Sequence, residues 1–203
     1  MQLKMQKNML RKSKKKKIWA ILKQIKVQKV FKTHGIKKDR KYMTEQKQPV
    51  QYRIRAMIIE DYEQVKRLWM TIHGFGIRSI DDTREEIERF LKRNPTTSVV
   101  AVCGEKVVGA ILCGSDGRQG CLYHVCVAKK YRRQGIGRQM VGYCMNALRR
   151  ERINRVTLIA FTKNDVGNAF WRQIGWTCRQ DCNYYQFILN EENITKFVEY
   201  QED

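Results

Sequence analysis

The sequence predicts an α/β domain built on one mixed, twisted sheet of six or seven strands flanked by about four helices. Three observations carry that expectation. From Tyr52 onward, segments with the two-residue period of strands alternate with segments of helical period, the order expected where helices pack on a sheet. A chain of 203 residues that is 42% hydrophobic and 10% aromatic can bury one core of ordinary size, which excludes wholesale disorder and a fibrous repeat. A glycine-containing turn, Gln134-Gly135-Ile136-Gly137, separates a strand pattern from a helix pattern.

The elements follow in order. Residues 52–56 alternate as a short strand, and Val65, Leu68, Trp69 and Ile72 recur at the spacing of one helical face. Asp82 and Glu85 open a second helix in a capping arrangement, Ile87, Phe90 and Leu91 supply its apolar stripe, and Pro95 closes it. Two apolar runs, 98–103 and 106–113, are joined by Gly104-Glu105 as a tight hairpin. After the loop 114–120 comes a strand at 121–127. Ile136, Met140, Cys144 and either Ala147 or Leu148 line a helix that begins near Gly137, and residues 156–161 form a strand. Asn164 caps a helix carrying Val166, Ala169, Phe170 and Ile174, which Gly175 ends, and residues 184–189 read as the closing strand.

Charge divides the chain unevenly. Residues 1–42 hold sixteen Lys and Arg against the single acid Asp39, a net of +15, whereas the rest carries +6 of the total +21. The expected organisation is therefore a basic N-terminal extension over 1–50, disordered or lying upstream of the true start, and one domain over 51–203. No apolar run approaches the length of a bilayer span. The run 18–22 is too short, and too soon interrupted by Lys23, for a signal peptide. Seven cysteines without a secreted framework or a paired zinc knuckle predict free thiols in a reducing cytoplasm, and no metal site.

The turn carries the chemistry. Lys129, Lys130, Arg132, Arg133 and Arg138 surround glycines at a strand-to-helix junction, where unpaired N–H groups and the positive end of the helix dipole hold a phosphate or pyrophosphate. A solvated basic loop is the plain alternative. A dinucleotide fingerprint needs a further glycine where Met140 stands, and a P-loop needs a Gly-Lys-Ser/Thr that is absent.

Arg132-Arg133-Gln134-Gly135-Ile136-Gly137 resembles the Q/R-x-x-G-x-G/A signature of the GNAT superfamily of N-acetyltransferases, and small bacterial single-domain members in particular. The strand before it and the segment Asn164…Phe170-Trp171…Gly175-Trp176 stand in the family's order. The resemblance implies the GNAT fold and acetyl-coenzyme A as acetyl donor. It also implies direct attack by a primary amine, small-molecule or protein-borne, in a ternary complex. By the same resemblance, the N–H groups of Gln134, Gly135, Ile136, Gly137 and Arg138 cradle the pyrophosphate while Arg132 and Arg133 attract it. The backbones of Val125 and Val127 pair with the pantetheine arm, and Asn164 reaches the coenzyme from the opposite side. Helix capping accounts for Asn164 equally well, and core packing for the two valines.

Catalytic groups are harder to place. An ammonium cannot attack a thioester, and neutralising a lysine-like amine at pH 7 costs about 4.6 kcal/mol, against about 2 kcal/mol for expelling a thiolate. A base therefore matters more than an acid. Counting back from Arg132, the positions that carry a base in many relatives hold Cys121 and Tyr123. His124 is the second candidate beside Tyr123, although regular alternation turns it to the other face unless a bulge intervenes. Trp171 stands where many members have an acidic tyrosine, so it shields or contacts the coenzyme or fills the core, with Tyr184 or Tyr185 as substitutes. Trp69, His73, Phe75, Asp81 and Asp82 fall around the expected acceptor groove.

The competing reading is a nucleic-acid or ribosome-surface binder that keeps the fold without catalysis and uses the basic tail, whose lysines suit phosphates. Two features of the tail point instead to its being dispensable and Met43 to being the initiator. Its charge differs sharply from the domain's, and the codons for Lys37-Lys38-Asp39 can spell a purine-rich ribosome-binding sequence. N-terminal sequencing from the native cell should find Met43 or Thr44 first, and deletion of residues 1–42 should leave activity intact. Peptides upstream of Met43, or loss of activity on that deletion, would reject it.

Overall fold

Strand-forming residues are densest between Val99 and Val127, and there the sheet is longest. The computed structural model describes residues 51–199; the expected extension and the alternative start at Met43 lie outside the described residues. The chain runs β1 (Arg53–Ala56), α1 (Tyr62–Trp69), β2 (Gly76–Arg78), α2 (Arg84–Arg93), β3 (Val99–Cys103), β4 (Lys106–Ser115) and β5 (Gly120–Val127). It continues through α3 (Ile136–Arg150), β6 (Val156–Leu158), α4 (Asp165–Gln173) and β7 (Thr195–Phe197).

Five strands form one mixed sheet in the order β1-β3-β4-β5-β6, antiparallel except for the parallel pair β5/β6. The remaining two, β2 and β7, pair with each other, so the strands divide into two sheets where one was expected. The expected closing strand at 184–189 has no strand pairing, and Tyr185, Phe187 and Leu189 are exposed. The strand expected over 156–161 stops at Leu158, where its pairing with Leu122 ends, and leaves Ile159 and Phe161 exposed.

Alternation along β3 sends Val100 and Val102 to one face and Val99 and Ala101 to the other. The first face is covered by α1 and α2 through Val65, Leu68, Trp69, Ile87 and Leu91. The second is covered by α3, whose Ile136, Met140, Cys144, Ala147 and Leu148 recur at helical spacing and are all fully buried. The Ile136, Met140 and Leu148 side chains each contribute about 1.5–3 kcal/mol on leaving water. The helix ends in a Schellman arrangement: the Ile153 N–H bonds the Leu148 carbonyl at 3.0 Å, the Arg152 N–H bonds the Arg149 carbonyl at 3.0 Å, and Arg152 takes φ 61°.

The helix that was expected to be capped by Asp82 is capped by Thr83, whose hydroxyl accepts the Glu86 N–H at 3.4 Å. Asp82 is unavailable for that role because its Oδ2 accepts the Arg78 N–H at 2.7 Å.

Close approach of α3 to β5 depends on Gly120, where a Cβ would lie 2.7 Å from Leu148 Cδ1 and 3.1 Å from its Cδ2. Gly120→Ala should lower stability by about 1–3 kcal/mol through overpacking, read as a lower urea midpoint with an unchanged slope. An unchanged midpoint would show that the helix slides away at no cost.

Candidate active site

The geometry is set by an irregularity in β5. Ala110 pairs with Cys126 and Leu112 with Tyr123, so a single residue of β4 opposes two of β5. The chain absorbs the extra residue at His124, which takes φ 49°, a left-handed conformation rare for a side-chain-bearing residue. The bulge overturns the face expected of His124 from regular alternation. Both Tyr123 and His124 face α1 and α2. The Tyr123 ring meets Phe90 edge-on at 6.1 Å, while the His124 ring lies 4.5 Å from Trp69 and 5.0 Å from Phe75.

His124 is held by a buried carboxylate. Its Nε2 lies 2.7 Å from Asp82 Oδ1, and Asp82 is only 3% exposed. The Asp82 carbonyl accepts from the Tyr62 hydroxyl at 2.9 Å and from Lys66 Nζ at 3.2 Å. Burial alone would push the Asp82 carboxyl up. The His124 hydrogen bond and charge, the Arg78 N–H and the nearby Lys66 outweigh it and hold the group below its usual range.

Tyr123 and Cys121 line an open cleft of about 310 Å³ with Phe90, Asn94, Ser115 and Gln119. Burial, then a hydrogen bond with the Cys121 thiol, pushes the Tyr123 hydroxyl well up. The phenol is thus protonated at neutral pH, able to orient a water but not to act as a base.

Past the bulge, β5 has no strand partner on its β6 side among the described residues. The Ala128 N–H bonds the Val108 carbonyl of β4 at 2.8 Å, so the alternate residues Val125 and Val127 point their backbone groups away from β4 into the opening. Arg132 Nε takes the Val127 carbonyl at 2.8 Å, which leaves the Val127 N–H and both Val125 groups facing the opening. The opening leads to the turn. Arg133 and Gly135 adopt φ 64° and 82°, and α3 then begins with no side-chain cap on its first N–H groups. A Cβ at Gly135 would point into open space, with only Tyr52 Oη at 4.0 Å, so the concavity stays accessible to an anion. Arg132, Arg133 and Arg138 are exposed around it, while the Ile136 side chain is buried in the core. Gly137 lets Phe170 of α4 approach, since its Cβ would sit 3.3 Å from that ring and 3.8 Å from Val127 Cγ2.

Asn164 caps α4: its Oδ1 accepts the Gly167 N–H at 2.9 Å. Trp171 packs 5.0 Å from both Phe170 and Trp176, half-buried against the α3 side of the core. Of the residues expected around an acceptor groove, Trp69, Phe75 and Asp82 converge on His124. Asp81 is exposed and pairs with Arg78 at 3.0 Å, and His73 is exposed. Tyr184 and Tyr185 are exposed as well.

Comparison with known proteins decides the family. The pattern of the Acetyltransferase (GNAT) family matches residues 59–176, over half of the chain. The chain belongs to the GNAT acetyltransferase family. It is an N-acetyltransferase by that membership. An acetyltransferase of Sodalis glossinidius is 30% identical over 121 residues, 60% of this chain and 84% of that one. One from Yersinia pestis is 28% identical over 123 residues, 61% and 86% respectively. Among solved structures, PaiA N-acetyltransferase of Thermoplasma acidophilum, in complex with coenzyme A, superposes with TM-score 0.57 at 16% identity, over 74% of this chain and 99% of that one. An aminoglycoside acetyltransferase from an uncultured soil metagenomic sample, in complex with sisomicin, gives 0.56 at 19% identity, over 68% and 97%. Among the described residues no helix of this acetyltransferase is long and apolar enough to cross a membrane.

The depressed Asp82 carboxyl ties stability to pH. Its contribution is fully present above the ordinary carboxylate value and is lost as pH falls through the lower folded-state value. Melting temperatures should therefore drop more steeply below about pH 4 in the parent protein than in Asp82→Asn. Parallel curves would remove Asp82 from the acid transition.

Proposed function

We propose that this protein transfers the acetyl group of acetyl-coenzyme A to a primary amine by direct attack within a ternary complex. The observation that supports this most is the continuous line of outward backbone donors along the β5 edge, which ends at an uncapped helix start surrounded by arginines. Acetyl-coenzyme A supplies the activated acyl carbon as a thioester. The Val125 and Val127 edge would receive the extended arm as an added strand. The N–H groups of Gln134 through Arg138 hold the pyrophosphate, and Arg132 and Arg133 draw it in. Asn164 combines capping with contact from the α4 side, since its Oδ1 is used by the cap while its amide N–H groups remain for a ligand. Trp171 shields the arm and donates no proton, because indole is not an acid near neutral pH.

The acceptor reaches the reacting carbon from the α1/α2 face, where Tyr123 and His124 stand. The structural neighbour holding sisomicin suggests small polyamines as first candidates. Turnover of acetyl-coenzyme A against small amines, aminoglycosides and protein amines, ribosomal proteins included, tests the reading. No turnover with any amine would count against it.

Gly135→Val places a side chain in the concavity at φ 82° and should abolish calorimetric binding of acetyl-coenzyme A, with far-UV circular dichroism retained. Unchanged affinity in the folded variant would refute the cradle. Trp171→Phe should alter coenzyme affinity or melting temperature and leave the alkaline limb of the pH profile in place. If Tyr184→Phe removed that limb, an acid would exist elsewhere.

A further inference from the structure

The family assignment explains the β5 edge and the turn, but it leaves the buried Asp82 and His124 contact without a task. A carboxylate only accepts hydrogen bonds, so the 2.7 Å contact requires a proton on Nε2, and in the neutral form of the ring the lone pair is then on Nδ1. Nδ1 makes no hydrogen bond among the described residues. The ring cannot turn over freely, because Trp69 and Phe75 hold it and Asp82 is itself fixed by the Arg78 N–H at 2.7 Å. The side chain is 18% exposed, and the next residue is Val125, whose backbone faces the opening. A purely structural pin would not need a charge: an amide in place of the carboxylate could tie the strand to the loop without the cost of burying an ion.

We infer that Asp82 is a positioning residue that fixes His124 as its Nε2–H tautomer, so that His124 Nδ1 takes the proton from the acceptor's ammonium group. The inference rests on the acetyl-transfer reading. The ammonium gives one proton to Nδ1, directly or through a water, and becomes a neutral amine. Its lone pair forms the C–N bond as the C–S bond breaks and the sulfur leaves with the bonding pair. The second nitrogen proton neutralises the thiolate, and the imidazolium returns its proton to solvent. Lys66 and Arg78 bear on the Asp82 side of the pair, through its carbonyl and its Oδ2 respectively.

Asp82→Asn is the informative change. The Arg78 N–H is a fixed donor, so the asparagine must turn its oxygen there and its NH₂ toward His124. Nε2 then has to accept, and the ring proton moves to Nδ1, which loses its lone pair. Long-range ¹H–¹⁵N correlation spectra should show His124 protonated on Nε2 in the parent protein and on Nδ1 in Asp82→Asn. The kcat should fall by roughly 100-fold or more, with KM for acetyl-coenzyme A within about twofold. His124→Gln keeps an amide donor for Asp82 and lacks a base, so it should show the same loss of kcat should Asp82→Asn not fold. An Nδ1–H tautomer in the parent protein, or parent-like kcat in either folded variant, overturns the inference. If the parent protein turns over no acetyl-coenzyme A, the acetyl-transfer reading fails instead, and the spectra still decide the tautomer.

Discussion

The single extra residue in β5 is the constraint on which the rest of the site depends. A parallel neighbour can follow a strand only while the strand keeps its period. β6 follows β5 as far as Leu122 and Leu158, and the bulge lies two residues later, at His124. Beyond it β5 keeps its ladder with β4 and leaves its other edge without a strand. The same residue brings two consecutive side chains to one face. In the proposed function a register defect therefore provides both the slot for an extended ligand and the place for Tyr123 and His124 beside it. His124 at φ 49° costs about 1–2 kcal/mol, a strain that the surrounding Trp69, Phe75 and Asp82 contacts hold in place.

The glycine turn before α3, the proposed pyrophosphate cradle, is built from the same shortage of partners. A helix start has N–H groups that nothing in the helix can satisfy, and most helices spend a Ser, Thr, Asp or Asn on them. Two of the three shorter helices here do so: Thr83 serves α2 and Asn164 serves α4, while α1, which continues directly from a 3-10 turn, has no side-chain cap. The longest, α3, has glycine at that position and arginines around it, and no side chain caps its first donors. The cost is met on the other side, where α3 buries a full apolar stripe against the sheet.

Much of this was legible in the sequence, for identifiable reasons. The helical spacing of Ile136, Met140, Cys144 and Leu148 and the continuous apolar runs of β3 and β4 depend on local periodicity, and the glycine turn between strand and helix carries its own signal. What was not legible depends on pairing between distant segments. Nothing near Tyr123 announces a bulge, because the count of residues opposite one another belongs to β4 and β5 together. The capping residue was misplaced by one: Asp82 and Thr83 are both good caps, and Asp82 is taken out of the competition by the N–H of Arg78, four residues before it, and by His124, forty-two residues away. The pairing of β2 with β7 joins segments more than a hundred residues apart, which no window of sequence could reveal.

The proton economy of acetyl transfer connects these features. A tryptophan at position 171 cannot protonate a leaving thiolate, yet at neutral pH that deficit is only about 2 kcal/mol, less than half the cost of freeing a lysine-like amine from its proton. A site can therefore do without an acid more easily than without a base. The carboxylate nearest the sheet in this region lies not on β5, where the counted-back positions hold Cys121 and Tyr123, but on the loop before α2. It reaches the strand only through an imidazole. A carboxylate placed directly on the strand would need water or the acceptor as its partner and would be exposed to every cation that entered. Set behind His124, Asp82 keeps its charge in a protein-built environment, and the group offered to the acceptor is an imidazole, which can take a proton at one nitrogen while the other is held. In the proposed mechanism the bulge is thus what permits the substitution of a histidine dyad for a strand-borne acid, because without the extra residue His124 would lie on the α3 side of the sheet, away from both Asp82 and the acceptor.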